Sequence, residues 1–184
     1  MGCSLSWIAF KGLEPDAVLA RLRWEDTSTE VLSWEGYTAG ALLAGGFYLI
    51  QLDDCFHRLL EPDSLTQLSQ GCSVVACQAD EHVMFSSSFE WVDGALRWQL
   101  THNSENGRYD LQVEATPPLE LTAIQAHATA QQDADGGADS DTDYLFSVPI
   151  DLAAQLVGFH HDRAAQTAFR PPWSSFTRLD PVDA

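Results

Sequence analysis

Bulky apolar and polar residues alternate through the middle of the chain. Val83, Phe85, Phe89 and Trp91 are interleaved with His82, Ser86, Ser88 and Glu90, with Met84 the exception. A period of two marks a strand with one covered face. Asp93-Gly94 is a hairpin turn signal. After it, Leu96, Trp98 and Leu100 alternate with Arg97, Gln99 and Thr101. Asn106-Gly107 gives a second turn, and Tyr109, Leu111 and Val113 then alternate with Arg108, Asp110, Gln112 and Glu114. The pattern predicts a three-stranded antiparallel meander over about 81–115, with one packed and one wet face. His82, Arg97, His102 and Asp110 are placed at its polar positions, His82 and His102 on neighbouring strands. These four are the residues expected to meet a partner.

Short apolar runs predict further strands at Cys3–Phe10, Phe47–Leu52 and Cys72–Ala79, and Val31, Leu32 and Trp34 suggest a short one. The small residues of Gly36 to Gly46 read as loop. Helical periodicity predicts helices over Pro15–Arg23, from Glu61-Pro62-Asp63 to a stop at Gly71, over Pro118–Gln132, and over Pro149–Val157 with Gly158 as its stop. The expected fold is α+β: a single domain over 1–158 on a mainly antiparallel sheet, with three to four helices packed on one face. Residues 133–143 are expected to be a flexible acidic loop, and 159–184 an extended C-terminal tail on the surface.

Composition adds a sign to this picture. The 184 residues include 27 acids and 9 bases, a formal net charge of −18, and Lys11 is the single lysine. Such a surface repels nucleic-acid phosphates and anionic lipid headgroups and attracts basic proteins or cations. No apolar stretch is long enough to span a bilayer. The N-terminus lacks the basic and apolar regions of a secretory signal. Met1-Gly2-Cys3-Ser4-Leu5-Ser6 fits a myristoylation pattern with a cysteine that could be palmitoylated. The strand-like Leu5, Trp7 and Ile8 and the absence of a basic second signal argue against an anchor. Cys3, Cys55, Cys72 and Cys77 show no CxxC spacing and read as reduced structural thiols, which points to the cytoplasm. One lysine against eight arginines, with abundant alanine, suggests a GC-rich bacterial genome.

Three segments could carry chemistry. Asp133, Asp135, Asp139, Asp141 and Asp143 could offer oxygens to a hard cation. Counting from Asp133, Ala138 and Tyr144 stand where an EF-hand needs glycine and glutamate, so a solvated linker is the plainer reading. Asp53-Asp54-Cys55-Phe56-His57 follows a buried strand and holds a thiol and an imidazole that could act as nucleophile and base. The plainer reading is a polar turn leading into a helix. In His160-His161-Asp162, two adjacent imidazoles could meet a metal with a carboxylate behind one of them. Adjacent side chains rarely reach one ion, and solvent-facing histidines are the plainer alternative. There is no P-loop, GxGxxG, HExxH or GxSxG, and no cofactor is called for. The sequence therefore favours a non-enzymatic, acidic protein-interaction module. An inhibitor or immunity-type protein that neutralises a basic partner would have this composition. The alternatives are a small-substrate hydrolase using Asp53–His57 and a cation-binding module using Asp133–Asp143.

Overall fold

The computed structural model describes residues 2–31, 38–166 and 173–178. At its centre lies β1 (Ser4–Lys11), whose residues from Leu5 to Phe10 are all buried. It pairs antiparallel with β4 (Tyr48–Leu52) on one side and β5 (Ser73–Asp80) on the other. The sheet has nine strands in the order β2 (Trp24–Val31), β9 (Trp173–Arg178), β3 (Ala39–Leu42), β4, β1, β5, β6 (Phe85–Val92), β7 (Ala95–Asn103), β8 (Gln112–Ala115). The expected α+β domain on an antiparallel sheet is what the chain forms.

The helices divide between the two faces of the sheet instead of sharing one. Successive strand residues point to opposite faces, and β1 is apolar on both. Ile8 and Phe10 pack with Ile50, Leu52 and Val74 beneath α1 (Pro15–Leu22) and α2 (Pro62–Leu68). Trp7 and Ala9 pack with Val75, Cys77 and Leu49 beneath α4 (Ser147–Val157). On that same face, α3 (Glu120–Ala134) and α4 close over Trp98 and Leu100. Pro15 begins α1 with Asp16 in its first turn, and Gly158 ends α4 at φ 83°. Both ends follow the sequence signals.

The meander forms with three differences from its sequence pattern. Asp93 and Gly94 turn at φ 50° and 79°, the hairpin geometry that asparagine, aspartate and glycine favour. A side chain at Gly94 would also displace the Gln70 amide and crowd the Thr66 carbonyl, 3.2 Å from an added Cβ. The face read as wet is buried at Ser86 and Ser88. Their small side chains let α4 lie close, and the Ser86 hydroxyl donates to the Phe146 carbonyl at 2.7 Å. Next, the β6–β7 register slips between Glu90 and Trp91, opposite Arg97. That bulge sends Leu96 to the α1–α2 side and Trp98 to the α3–α4 side. Finally, β8 is confined to Gln112–Ala115, so Arg108 to Leu111 lie outside it.

Three expectations about connections are corrected. Ala39–Leu42, read as loop, is β3, with Ala39, Gly40 and Ala41 buried. The strand placed at Val31–Trp34 instead covers Trp24–Val31; Leu32 and Trp34 fall outside the described residues. The described residues beyond Gly158 do not form a surface tail. Phe159 is 1% exposed and meets Trp7 edge-on at 5.8 Å, and Trp173–Arg178 threads between β2 and β3. No helix among the described residues is long and apolar enough to cross a membrane.

Candidate functional site

The four residues expected at a partner surface do not make one patch. His82 is exposed in the turn before β6, and Arg97 is exposed near the far end of the meander, about 20 Å along the strand. Asp110 is half-buried and structural: its carboxylate accepts from the Asn103 backbone N–H at 3.2 Å. His102, expected on the wet side, is fully buried. It shares a face with Leu100, and β-alternation alone carries it inside. Its Nδ1 lies 2.6 Å from the Asp110 carbonyl and its Nε2 3.1 Å from Asp143 Oδ2. Both neighbours accept, so the ring meets acceptors on both sides.

The aspartate segment, expected as a flexible acidic loop, carries side-chain hydrogen bonds along its length. Gln132 donates to the carbonyls of Gly137 and Thr142 at 2.6 and 3.2 Å and accepts from the Tyr144 N–H at 3.0 Å. Ser140 donates to Asp135, Tyr109 donates to Asp133, and Arg108 reaches Asp143 at 3.0 Å. Asp139 and Asp141 stay exposed while Asp143 is buried. The five aspartates do not bring three ligand atoms together. With Asp143 facing inward and the other four exposed, they do not form a cation cage.

The Asp53–His57 segment does not assemble either. Asp53 and Asp54 are exposed, and Asp54 Oδ1 accepts from the Phe56 N–H at 2.9 Å. His57 Nδ1 accepts from the Leu59 N–H at 3.2 Å, capping a short 3-10 turn over Arg58–Leu60. Burial lowers the His57 pKa. The Cys55 side chain is buried, and its thiol is pushed up to about 12 by desolvation and then by Asp80 and Asp54. A nucleophilic cysteine needs the opposite shift. In the native protein Cys55 is therefore expected to resist iodoacetamide at pH 8, reacting at the denatured rate only after unfolding. Alkylation followed by peptide mass spectrometry reads this directly. Rapid native-state labelling of Cys55 would revive the hydrolase alternative.

A concavity among the described residues lies where, apart from His160, no local motif marks the chain. A groove of about 980 Å³ runs between α3 and α4 and is closed at one end by the turn at Leu43, Ala44 and Gly45. Residues four apart on a helix share a stripe. His127 and Gln131 therefore face the groove from α3, and Ser147, Asp151 and Gln155 from α4, with Ile124 and Leu156 among the apolar lining. His160 Nδ1 accepts from the Asp162 N–H at 3.2 Å, which leaves Nε2 as the protonated nitrogen, 3.6 Å from Asp151 Oδ1. Burial pushes the Asp151 carboxyl up, but hydrogen bonds from His160 and Ser147 and the charges of His160 and Arg163 outweigh it. The net shift is downward. Serine, histidine and aspartate thus line the groove without forming a serine relay, which needs the imidazole between hydroxyl and carboxylate. Here His160 Nε2 faces Asp151, and the Ser147 hydroxyl donates to the Tyr144 carbonyl at 3.0 Å. The groove arises from two helices packed across a loop, a tertiary feature with no local pattern. No protein-family model, no curated protein and no solved structure matches this chain.

Proposed function

We propose that this chain is an acidic binding protein that holds a basic partner protein, in the manner of an inhibitor or immunity-type protein of the cytoplasm. The observation that carries the reading is the excess of 27 acids over 9 bases. Carboxylates stand exposed around the domain: Glu14 and Asp16 by α1, Glu25 and Asp26 on β2, Asp63 on α2, Glu120 on α3, and Asp139 and Asp141 beyond it. Two of the few cations are used internally. Arg21 donates to the carbonyls of Leu68 and Gln70, and Arg108 to Asp143. A field of one sign speeds encounter with an oppositely charged protein by roughly 10–1000-fold and is screened by salt. The α3–α4 groove offers apolar cover to a side chain or segment of the partner once it arrives.

The test begins with affinity enrichment on the full chain, followed by kinetics with the purified partner. The expected partner is a basic protein whose association slows by tenfold or more between about 50 and 500 mM salt. A chain carrying E120Q, D139N and D141N should bind it more slowly at low salt with little change in dissociation. Association that ignores salt, or a retained partner without positive charge, would rule the reading out.

A further inference from the structure

The geometry points to a zinc-type site in which Cys3 Sγ, a Glu81 carboxylate oxygen and a His161 ring nitrogen hold one divalent cation, with the fourth position left to water. The ligand atoms of these three residues lie within 4.8 Å of one another. In a tetrahedral centre with bonds of about 2.0–2.3 Å, ligand atoms stand roughly 3.5 Å apart. The three side chains therefore need only a small inward rotation.

The fold brings them together by two separate routes. Cys3 and Glu81 continue the β1–β5 ladder one step past its last pair, Ser4 and Asp80. The Glu81 N–H donates to the Cys3 carbonyl at 2.9 Å, and the Cys3 N–H donates to Glu81 Oε2 at 2.9 Å. His161 arrives after α4. Phe159, seated on Trp7, turns the chain back toward the same end of β1, and the His160 ring stacks on His161 at 5.1 Å and 16°. This side of the stacked pair is separate from the groove, which His160 faces through Asp151.

An independent observation marks the position as a ligand's. His161 is 2% exposed, and neither of its ring nitrogens has a hydrogen-bond partner among the described residues. Asp162 Oδ1 approaches Nε2 to 3.4 Å without hydrogen-bond geometry. A buried imidazole with both nitrogens unmet is rare because it forgoes hydration on both sides. A metal on one nitrogen removes that cost.

The donor chemistry selects the ion. Thiolate, imidazole and carboxylate together suit Zn²⁺, whereas calcium and magnesium take oxygen ligands. The Cys3 thiol must give up its proton to bind a metal, so loading the site breaks the S–H bond, forms the S–Zn bond and releases one proton to solvent. The local charge of Glu81 and Asp162 favours the incoming cation. Three protein ligands and one open position is the coordination that zinc sites use when water or a substrate completes the sphere.

The test titrates Zn²⁺ alone into the chelator-stripped full chain against a chromophoric competitor, and records the absorption spectrum of the Co²⁺ form. One equivalent should bind, and the Co²⁺ form should show a sulfur-to-metal charge-transfer band in the near ultraviolet. Cys3→Ser should abolish that band. Cys3→Ser and His161→Ala should each weaken Zn²⁺ binding by at least about 100-fold, while His127→Ala in the groove should leave it unchanged. If His161→Ala does not fold, the charge-transfer band of the unmutated chain and its loss in Cys3→Ser still decide. The proposal is overturned by failure to bind Zn²⁺, by a Co²⁺ spectrum without a sulfur band, or by equal affinity in Cys3→Ser.

Discussion

Asp143→Ala is expected to cost about 3–5 kcal/mol, the range seen when one partner of a buried ion pair is removed. The Asp143 carboxylate is enclosed by three donors on three different parts of the chain. His102 Nε2 on β7 and Arg108 Nη1 before β8 approach Oδ2 at 3.1 and 3.0 Å, and the Phe146 N–H at the start of α4 approaches Oδ1 at 3.3 Å. Removing the carboxylate leaves His102, which is fully buried, with an unmet Nε2. It also leaves Arg108 beside a hole. At roughly 2–4 °C per kcal/mol for a domain of this size, the midpoint of thermal unfolding should fall by about 6–20 °C. Asp141→Asn, two residues earlier and exposed, should stay within about 0.5 kcal/mol of the parent. Equilibrium urea denaturation of the two variants measures the contrast. Equal, small losses in both would mean that the Asp143 cluster does not hold α4 to the sheet.

That contrast also shows what the sequence could and could not reveal. Asp141 and Asp143 belong to one acidic run and look alike from neighbours alone; what separates them is a histidine 41 residues away in the chain. Strands β1 and β4, the Asp93-Gly94 hairpin and the Gly158 stop were legible because their signals are local: apolar runs, positive-φ turn residues and a helix terminator. His102 was legible in principle, since it lies two residues past Leu100 and alternation carries it inward. Reading histidine as polar obscured that. The serines of β6 misled for a related reason. A hydroxyl reads as wet, yet a small side chain is what allows a helix to lie close, and Ser86 satisfies its hydroxyl on the helix's own leading carbonyl. The placement of β9 between β2 and β3 depends on pairing across most of the chain's length, and no window of sequence carries it. Cys3 and Glu81, 78 positions apart in the chain, and His161 beyond them, form no motif for the same reason.

Phe159→Ala is expected to destabilise the domain by about 3–5 kcal/mol, as truncation of a buried phenylalanine does. Phe159 opens the segment that the sequence assigns to a tail, and in a tail the same change would stay within about 0.5 kcal/mol. Here the ring is 1% exposed and packs with Phe47, Ile150, Val157 and the edge of Trp7. Its removal forfeits the transfer energy of the ring, the aromatic contact worth roughly 0.5–1.5 kcal/mol, and the dispersion contacts of a void too small to refill. Phe159→Leu keeps most of the volume and should cost less than about 1.5 kcal/mol. Gln155→Ala, exposed on the preceding helix, should be near neutral. Urea midpoints of the three variants, with tryptophan fluorescence as the probe because Trp7 is the ring in contact, separate the cases. The order Ala, then Leu, then the α4 surface variant identifies a core residue, because only a packed ring makes stability scale with the volume removed. Three equal midpoints would return Phe159 to the surface and leave the turn into His161 without its anchor.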